Sequence, residues 1–494
     1  MILYAKGHKF FYELEKLCTV FFPNEKIEGV EYKNQNLTPP YVYTEVCDLH
    51  NKRNLIVHVS INDNFLEDNR ILNSDIYEID DTTEKVLAQM IFKLLKKITG
   101  QEPSWGILTG IRPVKLMRRL INEMGTDDAI KYFNDEFMVS EEKTNLCYNT
   151  ALKQQSIIDL SSDRSFSLYI AIPFCPTRCS YCSFVSQSIE KSAKLIPEYL
   201  DCLIKEIEYT SSIVKKLGLK LETVYIGGGT PTTLSANQLE ILINKINENF
   251  NVNDCREFTV EAGRPDTITE DKLLVLKKLG VTRISINPQT LNDNVLELIG
   301  RKHTAKQTVD AFYLARKCGF DNINMDLIAG LPGDEYNSFK NTINEVCKLN
   351  PENITIHTLA MKRSSRLTDQ GNKLDKESAK LTEKMMEFAK EILFSEEYIP
   401  YYLYRQSKML GNLENIGFCK KGYENLYNVY IMEETHTIIS CGASGVTKLK
   451  APKGDFIERC FNFKFPYEYI QRFSEIINRK DKVLSFYDDF KKLL

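Results

Sequence analysis

Short extended segments and longer helical segments alternate through the middle of this 494-residue chain, from about Ser167 to Thr358. Runs of β-branched and aromatic residues predict six strands: Leu168–Ile172, Val224–Ile226, Phe258–Glu261, Arg283–Ile286, Ile323–Leu327 and Ile354–His357. The segments between them have a helical period: Ile196–Leu217, Ala236–Asn249, Glu270–Leu279, Ala305–Lys317 and Tyr336–Leu349. This alternation, without hairpin signals, predicts an α/β fold with a parallel sheet, either open or an incomplete barrel. Ligands bind such folds at the carboxyl ends of the strands.

The segments on either side of this core have a different pattern. Residues 1–163 are predicted to be a separate α+β domain, with the strands Tyr41–Cys47 and Leu55–Ile61 and the helices Asp81–Thr99, Asp127–Phe137 and Glu141–Leu160. The core is assigned to 164–365. A mixed region that covers the substrate is expected at 366–494, where a polar helix runs to Glu391 before tyrosine-rich and glycine-rich stretches.

The composition narrows the class of protein. Hydrophobic residues make up 43% of the chain and charged residues 27%, as in ordinary globular proteins. The net charge of -3 argues against a nucleic-acid-binding protein, which is usually basic. Charged residues interrupt the first apolar segment, and no apolar run is long enough for a membrane span. We therefore expect a cytoplasmic protein with neither a signal peptide nor a membrane span.

Three cysteines stand close together directly after the first predicted core strand. Cys175, Cys179 and Cys182 have the spacing C-x-x-x-C-x-x-C, which suits an iron–sulfur cluster. A [4Fe–4S] cluster with three cysteine ligands keeps one iron open for a small molecule. A structural zinc site is the alternative, but it needs a fourth ligand and no His is close in sequence. Disulfides are disfavoured because the 13 cysteines are an odd number and mostly scattered.

Polar or glycine-rich groups follow several of the other predicted strands. Gly227–Pro231 follows the second strand, where glycines allow a ligand to approach the backbone or simply make a tight turn. Glu261, Gln289 and Asp326 lie at or near the ends of the next three strands. Each alone is more often a structural polar residue. Together they direct donors and acceptors to one rim, as a small polar cofactor requires.

Basic residues provide candidate contacts for anionic groups. Arg301 follows the Gln289 segment and is a candidate clamp for a carboxylate, although a solvated loop arginine is the more common case. Arg112 and Lys115 begin a basic cluster at the start of a helix, with Pro113 at its first position. This cluster is either an ordinary charged helix face or a binding patch for an acidic substrate.

These motifs together resemble the radical S-adenosylmethionine (SAM) superfamily. From Ser167 to Val446 the chain looks most like its coproporphyrinogen dehydrogenase branch, which includes oxygen-independent coproporphyrinogen III oxidases and heme chaperones. The resemblance is carried by the Tyr169-x-x-Ile-Pro-Phe-Cys-x-x-x-Cys-x-x-Cys run, the Gly-Gly-Gly-Thr-Pro run and the polar strand ends. With its Gly-Ile-Leu-Thr-Gly-Ile-Arg-Pro segment, the N-terminal domain is similar to the longer "second oxygen-independent coproporphyrinogen oxidase" subgroup.

The resemblance implies a partial (β/α)6 barrel that binds a [4Fe–4S] cluster and SAM. Cys175, Cys179 and Cys182 would hold the cluster. The positions that match SAM contacts are Tyr169, Gly228, Gly229, Thr230, Pro231, Glu261, Gln289, Arg301, Asp326, Ala360 and Val446. In such enzymes the reduced cluster cleaves SAM to a 5′-deoxyadenosyl radical, which removes hydrogen from a propionate β-carbon. Loss of CO2 and an electron leaves a vinyl group. The implied partners are a tetrapyrrole substrate and a low-potential donor, flavodoxin or ferredoxin; no catalytic residue beyond the cluster and SAM is implied.

Three departures from the family pattern bear on the substrate. Ser183 follows the last cluster cysteine, where the oxidases carry another cysteine. The stretch from Glu424 to Tyr430 lacks the His and Trp of the heme chaperones. The run Glu261-Ala-Gly-Arg-Pro265 differs from the Glu-x-Asp-Pro and Glu-x-Asn-Pro runs of relatives, and Arg264 either replaces a polar contact or binds a substrate carboxylate. The expected activity is the decarboxylation of coproporphyrinogen III to protoporphyrinogen IX. The alternatives are a heme-binding chaperone and another radical reaction on a tetrapyrrole, such as anaerobic heme opening.

Overall fold

A computed structural model describes residues 1–73, 80–362, 365, 367 and 376–490. The chain divides into two compact units. The first consists mainly of Met1–Ala151 with the later segment Leu403–Glu414, and the second contains most of the chain from Leu152 onward. Within the described ranges, no helix is both long enough and apolar enough to cross a membrane. The domain boundaries at 163 and 365 stay predictions.

The first unit is built on a five-stranded mixed sheet. Its strands are β1 (Ile2–Lys6), β2 (Glu28–Glu31), β3 (Tyr41–Leu49), β4 (Lys52–Ile61) and β5 (Asn64–Asn73). Their order is β2-β1-β3-β4-β5, with β1 parallel to β2 and β3 and the later pairs antiparallel. The helices of this part of the chain are Phe11–Phe21, Asp80–Thr99, Pro113–Met124, Thr126–Asp135 and Glu141–Ile158. This arrangement is the expected α+β fold.

One face of this sheet and two helices form the core of the first unit. Alternate residues of β4 are buried, and Val57 is fully inaccessible. The helix Asp80–Thr99 places Leu87, Ile91 and Leu95 on the same core at helical spacing. Burying an aliphatic side chain of this size contributes about 1.5–3 kcal/mol. The period-2 pattern of the strand and the 3.6-residue pattern of the helix therefore meet in one apolar layer.

A buried charged group holds the later segment Leu403–Glu414 within the first unit. The carboxylate of Glu414 is inaccessible and accepts hydrogen bonds from the Trp105 indole at 2.8 Å and from Lys143 Nζ at 2.6 Å. The guanidinium of Arg405 lies over the Trp105 ring, 4.9 Å from its centroid. A buried carboxylate needs such partners because its desolvation is otherwise uncompensated.

The second unit contains the predicted parallel sheet. Its parallel strands are β6 (Ser165–Ile172), β9 (Lys220–Gly228), β10 (Glu257–Glu261), β11 (Arg283–Ser285), β12 (Ile323–Ala329) and β13 (Asn353–Thr358). The short strands β7 (Phe174–Cys175) and β8 (Gln187–Ser188) lie between β6 and β9 in the chain and pair with each other outside this sheet. The parallel strands follow one another in space in chain order. Each connection therefore moves one strand onward, as in a (β/α) barrel and unlike a doubly wound sheet. The predicted parallel α/β core is confirmed, and the sheet stays open because other strands pair with β6 and β13.

Helices connect these strands; five of them match the predicted bounds to within one residue, whereas the short helices Ile189–Ser192 and Asp293–Leu298 were not predicted. They are Ile189–Ser192, Ile196–Leu217, Ala236–Asn249, Glu270–Lys278, Asp293–Leu298, Ala305–Lys317 and Tyr336–Leu349. Local chemistry explains where two of them begin and one ends. Ser235 and Thr304 each form a capping box with the residue three positions later. Gly218 ends the second helix with φ of +62°, a conformation that a side chain disfavours.

Additional strands extend both edges of the parallel sheet. They are β14 (Ile399–Tyr404) and β15 (Asn415–Cys419) beyond β13, and β16 (Thr437–Cys441), β17 (Val446–Lys450) and β18 (Ile457–Phe461) beyond β6. The later helices are Lys376–Ser395, Leu426–Glu433, Pro466–Gln471 and Phe473–Asp489. The polar helix expected after Lys362 is observed from Lys376, and most of the preceding residues, 363–375, lie outside the described ranges.

A buried ionic cluster attaches the C-terminal helices to the core. Glu206 is inaccessible, and its carboxylate accepts hydrogen bonds from the Tyr469 hydroxyl at 2.5 Å and from the Gly442 N–H at 2.7 Å. Lys480 Nζ lies 3.0 Å from the same carboxylate, and Asn462 donates to it at 2.8 Å. These partners place the glycine-rich stretch at Gly442 beside the carboxyl end of β6.

Candidate functional site

The three predicted cluster cysteines lie on one loop at the carboxyl end of β6. This cysteine loop, residues 173–186, includes the short strand β7 (Phe174–Cys175), which pairs with β8 (Gln187–Ser188) directly after the loop. Hydrogen bonds to its backbone restrain it: the Cys182 N–H donates to the Cys179 carbonyl at 3.2 Å, and the Ser180 N–H donates to Ile299 at 3.0 Å. All 13 cysteines of the chain are free thiols.

The chemistry of this loop fits an iron–sulfur cluster. Burial raises the pKa of the Cys175 thiol, and it raises that of Cys182 to about 11, with contributions from the neighbouring thiols. Coordination to a metal reverses this effect, because a coordinated thiol is deprotonated outright. Nowhere in the described ranges do three His, Cys, Asp or Glu side chains surround a position for a single metal ion. A [4Fe–4S] cubane does not need its cysteines to converge on one position, because each thiolate binds a different iron of the cluster.

The glycine-rich run at the end of β9 packs directly against the cysteine loop. The Gly229 N–H donates to the carbonyl oxygen of Ile172, just before the loop, at 2.8 Å, and the Thr230 N–H donates to that of Phe174 at 2.7 Å. A Cβ atom on Gly229 would lie only 2.5 Å from the carbonyl oxygen of Phe174. The hydroxyl of Thr230 also donates to Cys175 Sγ at 3.5 Å. Glycine is therefore required here for the approach of two backbones, whatever ligand the site holds.

The other predicted members of this run lie beside it. Gly228 ends β9 with φ of +111°, and Pro231 is the first residue of a short 3-10 turn, Pro231–Thr233. These conformations confirm the tight turn that was one interpretation of the motif. The SAM contacts assigned to these positions stay predictions.

Two acidic side chains of the parallel sheet, Glu261 at the end of β10 and Asp326 within β12, have pKa values shifted in opposite directions. Burial raises the pKa of Glu261 to about 7, the negative charge of Asp326 adds to this, and a 2.6 Å hydrogen bond from the Tyr225 hydroxyl opposes it. Burial acts on Asp326 in the same direction, but His357, 3.8 Å away, and Asn324 lower its pKa overall. Asp326 is therefore ionised at neutral pH, and Glu261 is near the midpoint of its titration.

Gln289 occupies a restrained position four residues after β11, the fourth parallel strand, which ends at Ser285; it pairs with Leu327 of β12 through an isolated bridge. Its φ is +67°, in the left-handed region that non-glycine residues rarely adopt. Its N–H donates to the Asp326 carbonyl at 2.9 Å, and its own carbonyl accepts from the Ile328 N–H at 2.9 Å. Two backbone hydrogen bonds to β12 thus maintain a conformation that costs free energy. Such strain is concentrated at ligand sites in folded proteins.

Three tyrosine rings stack beside Glu261. The Tyr169 ring lies 6.0 Å from that of Tyr225 and 5.9 Å from that of Tyr427, and the last two are 4.5 Å apart. Tyr427 lies on the helix Leu426–Glu433, whose first N–H groups donate to the carboxylate of Glu257. Burial raises the pKa of each of the three phenols, so all of them stay protonated at neutral pH.

Sequence reasoning identified Tyr169 in this stack but missed Tyr225 and Tyr427. Tyr169 and Tyr225 lie on successive predicted strands, which was a signal available from the sequence, and the structure makes them partners in the register of β6 and β9. No local signal identifies Tyr427, which comes to the site from the C-terminal region. Tyr181, within the cysteine loop, was also missed, and its hydroxyl accepts a hydrogen bond from Arg301 at 3.1 Å.

The two buried arginines near the cysteine loop are engaged by protein groups. Arg301 donates to the carbonyl oxygens of Gly263 and Asn287 at 3.2 and 2.6 Å and to Tyr181. Arg264 is 3% exposed and donates to Asp266 and Thr177. This placement favours a role for Arg264 in organising the loop over the contact with a substrate carboxylate that was expected from the sequence.

The remaining predicted residues lie in three places. Ala360 follows the carboxyl end of β13, and Val446 begins β17 just after the turn that follows β16. Because β16 runs parallel to β6, this turn lies at the same end of the sheet as the cysteine loop. Arg112 and Lys115 belong to the first unit, at the start of the helix Pro113–Met124, and their role in binding substrate stays a prediction.

Comparison with known proteins agrees with this geometry. Residues 169–346 match the model of the radical SAM superfamily. The chain is 40% identical over 405 residues to the Bacillus subtilis oxygen-independent coproporphyrinogen-III oxidase-like protein HemZ, covering 81% of each chain. It is 41% identical over 194 residues to the heme chaperone HemW of the same organism, covering 39% of this chain and 50% of HemW.

A solved structure supports the fold alone. The radical SAM enzyme coproporphyrinogen III oxidase (HemN) from Escherichia coli aligns with a TM-score of 0.51 and 24% identity, covering 66% of this chain and 73% of HemN.

Membership of the superfamily implies a [4Fe–4S] cluster and SAM as cofactors, and the cysteine loop and strand ends fit both. The chain belongs to the radical SAM superfamily and, within it, to the family of oxygen-independent coproporphyrinogen-III oxidase-like proteins.

Proposed function

We propose that this protein catalyses the oxygen-independent oxidative decarboxylation of coproporphyrinogen III to protoporphyrinogen IX in heme biosynthesis. The observation that carries the proposal is the relation to HemZ, named as coproporphyrinogen-III oxidase-like, which extends over four-fifths of both chains. The geometry supports the same class of chemistry, since free thiols, a glycine-rich turn and polar strand ends meet at the carboxyl end of one parallel sheet.

In this proposal the chain's own residues bind and orient the reacting groups. Cys175, Cys179 and Cys182 would hold the cluster, and Glu261 and Gln289, at the carboxyl end of the parallel sheet, would hold SAM. When bound, these cofactors supply the one-electron chemistry that makes a carbon radical able to take hydrogen from a propionate side chain. The Tyr225 ring stacks on that of Tyr427, and a hydrogen bond from the Tyr225 hydroxyl orients the carboxylate of Glu261.

The reaction requires two electron-transfer partners. A low-potential donor, flavodoxin or ferredoxin, would supply the cluster with one electron for each SAM cleaved. Each propionate that reacts would lose a β-hydrogen, CO2 and one further electron to become a vinyl group, so an acceptor must take that last electron. Arg112 and Lys115 are the proposed contacts for other propionates of the tetrapyrrole, since a guanidinium and an ammonium both suit carboxylates.

A heme chaperone is the second candidate, because HemW is 41% identical over 194 residues of this chain. The stretch from Glu424 to Tyr430 argues against it. It contains no His, the usual chaperone heme ligand in this family, and its residues have other partners. Glu424 pairs with Lys153 at 2.5 Å, and the Tyr430 hydroxyl accepts a hydrogen bond from Arg256 at 2.5 Å.

An anaerobic assay distinguishes these functions. The reconstituted, reduced protein is incubated with SAM and either coproporphyrinogen III or heme, and 5′-deoxyadenosine and tetrapyrrole masses are measured. Release of deoxyadenosine together with vinyl products supports the proposal. Stoichiometric heme binding without cleavage of SAM supports the chaperone, and deoxyadenosine with a different product mass supports another radical reaction.

Matched cysteine variants connect this activity to the cluster. Cys179→Ala should lose both the iron–sulfur absorbance and the release of deoxyadenosine. Cys202→Ala, which removes a buried thiol from the helix Ile196–Leu217, should keep both. A full four-iron cluster in Cys179→Ala would show that this cysteine is not a ligand.

A further inference from the structure

Arg264 connects the end of the third parallel strand to the cysteine loop. Its guanidinium is almost fully buried, and it donates to both carboxylate oxygens of Asp266, through Nε and Nη2, at 3.0 Å each. This leaves Nη1 for the cysteine loop, where it donates to Thr177 Oγ1 at 3.0 Å and to Cys179 Sγ at 3.8 Å. Arginine alone among side chains has donors in the planar fork that such an arrangement needs.

More positive than negative charge lies close to Cys179. Asp266 is the anionic partner of Arg264, and 21% of its side chain is exposed, compared with 4% for Arg264. Arg301 also interacts with Cys179, so two guanidinium groups face this thiol. The imidazole of His303 lies 3.9 Å from Asp266, and burial lowers its pKa to about 3, so it adds no charge near neutral pH. The electrostatic potential at Cys179 is therefore positive, and the negative charge of Asp266 partly offsets it.

Hydrogen bonds to the sulfur atoms and the surrounding net charge are two of the factors that set the reduction potential of an iron–sulfur cluster. A donor N–H and a positive charge both stabilise the reduced state, because it carries one more negative charge than the oxidised state. Partners of metal ligands also orient those ligands and tune the metal. Arg264 provides both effects, from a position that is shielded from water.

We propose that Arg264 is a positioning residue that holds Cys179 and raises the reduction potential of the cluster, and that Asp266 limits this effect. The inference depends on the cluster and not on the substrate, so it holds whichever tetrapyrrole reaction the protein performs. The electron balance is simple: one electron from a reductant takes the cluster from the 2+ to the 1+ level, and no covalent bond changes.

The test is a redox titration of the full-length protein in the absence of SAM and substrate. The midpoint potential is followed by electron paramagnetic resonance with chemical mediators, at matched iron and sulfide content. Arg264→Gln should lower the potential, with about a tenfold smaller equilibrium constant for reduction, or about 59 mV for a one-electron couple. Arg264→Lys keeps the charge and should recover part of this shift.

Asp266→Asn provides the opposite test. It keeps Arg264 and removes its counter-charge, so the potential should rise. Arg316→Gln is the matched control, because Arg316 pairs with Glu352 at 2.9 Å near the amino end of β13 and should leave the potential unchanged.

Two results would overturn the proposal. One is an unchanged or higher potential in Arg264→Gln, and the other is a shift of both variants in the same direction. If Arg264→Gln assembles no cluster, Asp266→Asn decides alone, and an unchanged or lower potential in that variant contradicts the assignment. A purely structural role for Arg264 predicts loss of cluster content without these opposite shifts in potential.

Discussion

The hydroxyl of Tyr225 donates a 2.6 Å hydrogen bond to Oε1 of Glu261 and thereby joins two neighbouring parallel strands at the candidate site. The same bond stabilises the ionised form of Glu261, whose pKa burial has raised to about 7. Small changes around this pair therefore alter the charge of the site at physiological pH.

We expect Tyr225→Phe to shift the pH dependence of SAM binding. If the Glu261 carboxylate accepts hydrogen bonds from SAM, affinity should rise as the pH increases through about 7, because Glu261 becomes ionised. Removal of the Tyr225 donor raises the pKa further, so the rise should move to higher pH. Anaerobic calorimetry between pH 6 and 8.5 measures the affinity for SAM in the parent protein and in Tyr225→Phe. An identical pH dependence of the affinity in the two proteins would exclude a role for Tyr225 and Glu261 in SAM binding.

Gly229→Ala should disrupt the cysteine loop. The added Cβ would lie 2.5 Å from the backbone oxygen of Phe174, so one of the two backbones must move. We expect less than half of the normal iron content after reconstitution. Gly110→Ala is the matched control, because nothing lies within 4 Å of its Cβ position. Equal iron content in the two variants would contradict the account of this turn.

Lys480→Met should strongly destabilise the second unit. Burial acts to lower the pKa of Lys480, but Glu206 outweighs this and raises it, so the ammonium and carboxylate form a buried ion pair. Removing one partner leaves a buried charge and should cost about 3–5 kcal/mol in chemical denaturation. Lys482→Met removes an exposed ion pair with Glu458 and should cost at most about 1 kcal/mol. Similar losses in both variants would show that the cluster around Glu206 is not a stability determinant.

Acidification should destabilise the fold through His436. Its two ring nitrogens are within 2.6 and 2.8 Å of the hydroxyls of Ser161 and Ser167. Burial, with a contribution from Arg256, lowers its pKa to about 3. The unfolded state, with a pKa of about 6.5, binds more protons between these values, so stability falls as the pH decreases through this window.

The expected loss from His436 between pH 7 and pH 5 is about 2 kcal/mol. His436→Asn should be less stable at pH 7 but should show a smaller further loss at pH 5, measured by denaturant midpoints. The exposed His50→Asn should retain the acid sensitivity of the parent protein. An unchanged difference between pH 7 and pH 5 in His436→Asn would contradict this explanation.

Local patterns in the sequence predict the parallel core well. The helix Ile196–Leu217 has its predicted bounds because Pro197 suits its first turn and Gly218 ends it. Glu261 was assigned to a strand end from its position after a β-branched run, and the structure places it there. In each case the residues that determine the element are neighbours in the sequence.

Features that depend on distant segments were not predictable in this way. Tyr427 stacks with Tyr169 although it lies 258 positions further along the chain. The strands β16–β18 lack the alternation of apolar and polar residues that would have identified them as strands. Glu414 accepts a buried hydrogen bond from the Trp105 indole, and no local sequence pattern indicates this contact. The role of Arg264 was missed for the same reason, since its partner Thr177 lies on a different loop.

The most direct test of the central claim uses coproporphyrinogen III deuterated at the propionate β-carbons. The reduced protein is incubated anaerobically with SAM and this substrate, and 5′-deoxyadenosine and the tetrapyrrole are analysed by mass spectrometry. The account predicts deuterium in the released 5′-deoxyadenosine, together with a vinyl group for each propionate lost. Unlabelled 5′-deoxyadenosine with all propionates intact would contradict it.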